Sequence, residues 1–222
     1  FRRVLFRSCE RGLGGRLWDI DGNCFVDLIS GLASVTLGYC DPDVNEAVSE
    51  QLNKGVTFSL STKLEAEVAA SICELVPSAE MVRFAKNGSD VTSAAVRVAR
   101  AHTSKDIILT SGYHGWHDWY IGITSMYRGV PMSVSELTDK FEFNNIESFE
   151  KALAKHDNNV AGIILEPIAA VIPSFDFLQH IRRRTQELGI VLIFNEIVTG
   201  FRVSRGGAQE LLGVTPDLTC LG

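Results

Sequence analysis

Short, unbroken apolar runs spaced along the chain constrain its fold more than any other feature. Asp106 to Thr110, Val160 to Leu165, Ile190 to Phe194 and Leu218 to Leu221 each read as a strand. None is long enough to span a bilayer. None alternates with polar residues, as a strand wet on one face would. Between several of them lie stretches with helical spacing. Asp90 to Ala101 is one, Ile146 to His156 carries Phe149 and Leu153 on one face, and Phe177 to Leu188 ends at Gly189, a natural C-terminal cap. Met81 to Ala85 reads as a further strand. Doubly buried strands separated by helices predict an α/β fold, with a mostly parallel sheet and helices on both faces.

The beginning of the chain has a different character. Leu17 to Ile20 and Cys24 to Leu28 flank Asp21-Gly22-Asn23, a hairpin signal. Asp41-Pro42 opens a helix with Val44, Ala47, Val48 and Leu52 at helical spacing. Thr62 and Glu65 form a capping box for a second helix, with Leu64, Val68, Ile72 and Leu75 as its apolar face. Residues 1–8, Phe1-Arg2-Arg3-Val4-Leu5-Phe6-Arg7-Ser8, resemble a translated sequencing adapter and are set aside as a scar. The expected organisation is an N-terminal segment over 9–60 and part of a larger domain over 61–222. The net charge of −6 gives nucleic-acid binding no electrostatic support. Five dispersed cysteines with no C-x-x-C pair fit free thiols in a reducing cytoplasm.

Four stretches have the residue types for chemistry. Asn87-Gly88-Ser89 feeds a helix N-terminus, where free amides and the helix dipole suit a phosphate. The same tripeptide also suits a plain turn with Ser89 as N-cap. Gly112-Tyr113-His114-Gly115-Trp116-His117-Asp118 combines glycines with rings that can stack on a flat ligand. His114 and His117 are weak metal candidates, better read as hydrogen-bonding or packing residues. Glu166 and Glu196 stand at strand ends, as ligand-facing or solvated carboxylates. Gly12-Leu13-Gly14-Gly15 precedes a hairpin rather than a helix, so it fails as a dinucleotide fingerprint.

In this order, several segments together resemble the class III pyridoxal-phosphate-dependent aminotransferases, in particular the glutamate-1-semialdehyde aminomutase-like branch. They are Leu17-Trp18-Asp19-Ile20-Asp21-Gly22, Asn87-Gly88-Ser89-Asp90, Gly112-Tyr113-His114-Gly115, Leu165-Glu166-Pro167, Asn195 to Arg202 and Thr215-Pro216-Asp217-Leu218. The resemblance implies the fold type I architecture, incomplete at its C-terminal side, and pyridoxal 5'-phosphate as cofactor. Gly88 and Ser89 would bind its phosphate, Tyr113 would stack on one ring face and Ile197 would pack on the other. His114 and Asn195 complete the expected cofactor set. The resemblance also implies a small-molecule amino donor, a carbonyl acceptor and a homodimer. Neither nucleic acid, membrane nor metal is expected.

Two departures stand out. The Schiff-base lysine of the family would come just after Gly222, so no catalytic residue is expected among these 222 and the chain alone is expected to be inactive. The family also has aspartate where Asn195 stands. A carboxylate there keeps the pyridine nitrogen protonated, and asparagine cannot supply that charge. It could still donate a hydrogen bond to an unprotonated nitrogen. A lesser departure is Ile168 to Pro173, which lacks the Gly/Asn-containing segment of the aminomutases and favours general amino transfer over intramolecular transfer. Competing readings are a non-catalytic protein that retains the fold and a nucleotide-binding α/β enzyme.

Overall fold

A computed structural model describes residues 8–222, so apart from Ser8 the N-terminal octet lies outside it. The chain divides into two compact units, the first ending at Lys63 and the second running Leu64–Gly222.

In the first unit, β1 (Cys9–Leu13), β2 (Arg16–Asp19) and β3 (Cys24–Val26) form an antiparallel sheet in the order β1-β2-β3. The hairpin read at Asp21-Gly22-Asn23 joins β2 to β3, and Asp19 Oδ1 accepts the Asp21 and Asn23 amides at 3.0 and 2.8 Å. β1 is an addition to the sequence reading. A one-turn element, α1 (Ser30–Ala33), follows. Then α2 (Pro42–Lys54) begins where its cap predicts, with the Asp41 side chain accepting from Val44 N–H.

The second unit is built on five parallel strands. They are β4 (Ile107–Ser111), β5 (Thr138–Lys140), β6 (Val160–Leu165), β7 (Val191–Glu196) and β8 (Leu218–Leu221), in the order β5-β4-β6-β7-β8. α3 is Lys63–Leu75, α4 is Gly88–Thr103, and short turns α5 (Asp118–Ile121) and α6 (Met132–Ser135) precede β5. α7 (Ile146–Lys155), α8 (Phe175–Leu188) and α9 (Gly207–Leu212) complete the order. Side chains alternate across the sheet as the pleat requires. Ile108, Ile164 and Ile193 pack with Ala95, Val96 and Ala99 of α4. Leu109, Ile163, Leu165, Leu192 and Phe194 pack with Phe149 of α7 and with Phe177 and Ile181 of α8. Both faces are covered, which is why these strands read as unbroken apolar runs.

Three expectations need correction. Residues 81–85 form no strand, and Met81 and Phe84 are exposed. A strand needs a neighbour for its amides and carbonyls, and none of the described strands runs beside this segment. The face read for α3 is not buried: Leu64 and Val68 are exposed, and none of the helix residues is buried. Ser89 is not the cap of α4. Asn87 is, accepting from Asp90 N–H at 3.1 Å.

Asp217 ties the start of β8 into this unit. Its Oδ2 accepts the buried Leu192 N–H at 2.8 Å, and Oδ1 pairs with Arg182 at 2.8 Å. Among the described residues, no helix is long and apolar enough to cross a membrane. Asp217→Ala orphans the Leu192 amide and should cost about 1–3 kcal/mol, whereas Asp217→Asn keeps an acceptor and should cost less. Urea unfolding of both variants checks this order.

Candidate functional site

The site lies at the C-terminal ends of β4 and β7 and the N-terminal end of α4, where open parallel sheets place their ligands. α4 has 16 residues and begins at Gly88. Its Asp90 and Val91 amides turn back onto Asn87 O. The amides of Gly88 and Ser89 find no partner among the described residues. Two unspent donors at the positive end of a long helix make an anion cradle. Gly88 faces Ile197, and a Cβ at residue 88 would lie 3.3 Å from Ile197 Cδ1.

The loop after β4 is fastened to α4 at successive points. Ser89 Oγ accepts Trp116 N–H at 3.2 Å, and Thr92 Oγ1 donates to His114 O at 2.9 Å. Ser93 Oγ accepts from the Trp119 indole N–H at 3.0 Å and meets His117 Nδ1 at 2.7 Å. Gly115, at φ +101°, sits where any Cβ would strike Ser89 Oγ, and its backbone conformation also favours glycine. Ser89, Thr92 and Ser93 form a polar stripe at i, i+3, i+4 spacing. Sequence reasoning made no use of that spacing, although it is a signal that could have pointed to this contact.

Asn195, at the end of β7, joins the loop to the sheet. Its Nδ2 donates to Tyr113 O at 2.9 Å and to His114 Nδ1 at 3.0 Å, while Oδ1 accepts Ile197 N–H at 3.2 Å. A carbonyl oxygen only accepts and an amide N–H only donates, so Tyr113 O and Ile197 N fix the orientation of the side-chain amide. Both of its hydrogens are spent within the protein, which removes the donor that the sequence reading left open for a ring nitrogen.

His114 is buried between Trp119 and Tyr120. Its Nε2 faces Ser111 O at 3.2 Å, so the ring proton sits on Nε2 and Nδ1 is the bare acceptor for Asn195. Burial pushes its pKa down to about 3. The ring is thus a neutral hydrogen-bonding residue with both nitrogens engaged.

The two carboxylates have separate fates. Glu196 is fully buried and points to the start of α9. It accepts from Thr199 Oγ1 at 2.8 Å, Ala208 N at 2.5 Å, and Gln209 N and Nε2 at 3.2 and 3.0 Å. That excludes a solvated loop carboxylate and a ligand-facing one alike. Glu166 accepts Tyr113 N–H at 2.9 Å, and burial holds its carboxyl above the usual range. Sequence reasoning missed this contact, because a bond to a backbone amide leaves no mark in side-chain spacing. Gly88, Ser89, Tyr113, His114, Asn195 and Ile197 therefore belong to one connected neighbourhood, with the Tyr113 ring still exposed.

The neutral His114 predicts a pH dependence. Its pKa is about 3 in the fold against 6.5 as the reference. Between those values the unfolded chain binds a proton that the folded chain refuses, so stability falls as pH drops through this window. His114→Gln should flatten that part of the stability profile in denaturant titrations. Equal slopes in both proteins would contradict the placement.

The profile of the class-III aminotransferases matches residues 2–222. The chain is 41% identical to a glutamate-1-semialdehyde 2,1-aminomutase of Natranaerobius thermophilus, over 95% of this chain and 53% of that protein. It is 38% identical to a 3-aminobutyryl-CoA aminotransferase of Cloacimonas acidaminovorans, over 96% and 52%. The crystal structure of an omega-transaminase from Sphaerobacter thermophilus superposes with a TM-score of 0.90 at 33% identity, over 97% of this chain and 54% of that one. The chain spans about half the length of the curated relatives it matches. It belongs to the class-III aminotransferase family.

Proposed function

We propose that the protein carrying this chain binds pyridoxal 5'-phosphate and moves an amino group from a small-molecule donor to a carbonyl acceptor. The observation that carries this reading is the pair of unspent amides at Gly88 and Ser89, set beside Ile197. The residues present fit such a group. The helix start is cleared by Gly88, the donors suit a phosphate, and an exposed tyrosine and a half-buried isoleucine remain for a flat ring. When bound, the cofactor supplies an electron-poor ring that can carry an amino group between two carbonyl carbons.

The chain's own residues have distinct tasks. The Gly88 and Ser89 amides hold the phosphate. The Ser89 hydroxyl accepts from Trp116 N–H and keeps its own hydrogen to give. Tyr113 covers one ring face and Ile197 the other. A Cβ on Gly222 would lie 2.9 Å from Ile197 Cγ2, so the backbone just after β8 runs close beside this side chain. Asn195 and His114 act as a neutral pair that orients Tyr113 and supplies no charge to a ring nitrogen.

A second reading, intramolecular amino transfer, is favoured by the 41% identity to an aminomutase. A non-catalytic role is favoured by Asn195 alone. The full-length chain should be offered pyridoxal 5'-phosphate with external amino donors and 2-oxo acids, then glutamate-1-semialdehyde without a donor. Exchange with external donors supports the first reading, and turnover of the semialdehyde alone supports the second. Absence of cofactor uptake defeats both. We also infer a cytoplasmic homodimer. Five free cysteines support the compartment, and Val44, Val48 and Leu52, exposed on one face of α2, support the dimer. Sedimentation of Leu52→Lys tests that face.

Asn195→Asp would set a carboxylate oxygen against Tyr113 O and His114 Nδ1, both acceptors. It therefore requires His114 to take up a proton, and it restores a negative charge near the ring nitrogen. Amino transfer should rise at least about tenfold. An unchanged rate would refute the argument from missing charge.

A further inference from the structure

The peptide unit between Gly112 and Tyr113 is gripped at both ends by side chains. Its carbonyl, Gly112 O, accepts the Tyr120 hydroxyl at 2.8 Å. Its amide, Tyr113 N–H, donates to Glu166 Oε2 at 2.9 Å. The two grips come from different elements, Tyr120 from α5 and Glu166 from the end of β6. Gly112 has φ +103° and no side chain of its own to resist turning, and a Cβ there would collide with Glu166 Oε2. With Tyr113 O held on the far side by Asn195 Nδ2 at 2.9 Å, fixing this plane fixes φ of residue 113 and with it the direction of the Tyr113 Cα–Cβ bond. Among the described rings, that of Tyr113 meets Tyr120 edge-on, with centroids 5.7 Å apart, and the residue is 57% exposed. Its aim therefore comes from the backbone beneath it.

We propose that Glu166 and Tyr120 clamp the Gly112–Tyr113 peptide plane and are positioning residues for the Tyr113 ring. The inference rests on the reading that Tyr113 stacks on pyridoxal 5'-phosphate, and it adds two residues to that site that touch no ligand themselves. Glu166 acts as an acceptor, so a neutral acceptor of the same shape can replace it. Tyr120 acts through its hydroxyl alone.

Equilibrium dialysis of the full-length chain against pyridoxal 5'-phosphate tests the clamp without measuring turnover. Glu166→Ala should weaken binding about tenfold and Tyr120→Phe about fivefold, while Glu166→Gln should stay within about threefold of wild type. Amide hydrogen exchange at Tyr113, measured without cofactor, should quicken at least about tenfold in Glu166→Ala and stay slow in Glu166→Gln. If Glu166→Ala fails to fold, Tyr120→Phe, which removes one hydroxyl, decides the question by its affinity. Wild-type affinity in Glu166→Ala or Tyr120→Phe overturns the proposal, as does a Gln variant as weak as the Ala variant. If the wild-type chain takes up no pyridoxal 5'-phosphate, the proposed function fails, and Tyr113 exchange alone decides whether the clamp exists.

Discussion

Ser89 and Gly115 approach so closely that no side chain can stand at residue 115. The rest of the site depends on that contact. It lets the loop after β4 lie flat on the first turns of α4, where three hydroxyl-bearing side chains bind it. The helix end with its unspent amides is thereby held at a set place beside Tyr113. The sheet adds the other half, because β7 delivers Asn195 and Ile197 to the same edge. The helix end, Tyr113, Asn195 and Ile197 are thus joined in one hydrogen-bonded and packed neighbourhood.

The polar interior of this assembly is neutral by construction. Asn195, His114, Ser111 O, Tyr113 O and Ile197 N form a closed set in which every donor meets an acceptor. An ionised group placed there would face acceptors it cannot satisfy or burial it cannot afford. The buried carboxyl group nearby, that of Glu196, is turned away onto backbone and side-chain donors at α9. The two adjacent residues at the end of β7 thus serve different neighbours, Asn195 the loop after β4 and Glu196 the start of α9.

The sequence was most legible where burial on both faces left an unbroken apolar mark, as at β6, β7 and β8, and where a cap announced a helix, as at Asp41 and Gly189. It misled at residues 81–85, where composition favours a strand but pairing depends on a neighbour that composition cannot reveal. It was silent at β5, since Thr138-Asp139-Lys140 is polar and short. The candidate site was legible as a set of residues through a family resemblance. Its wiring was not. That Asn195 spends both amide hydrogens, or that Glu166 serves Tyr113 N–H, follows from three-dimensional proximity between side chains and backbone groups. No periodic pattern encodes such bonds.

The parallel sheet also sets an order of events. A parallel neighbour can join only after a crossover has been made, so contacts between strands at this edge link residues far apart in the chain. His114 and Asn195 are 81 positions apart, and Tyr113 and Glu166 are 53 apart. On the ribosome, His114 emerges well before the asparagine that will occupy its Nδ1. During that interval the imidazole is wet, free to choose either tautomer and free to take a proton. The neutral form found in the finished fold is thus imposed late, when β7 docks. Synthesis of this unit ends by removing a proton-binding site that it began by making.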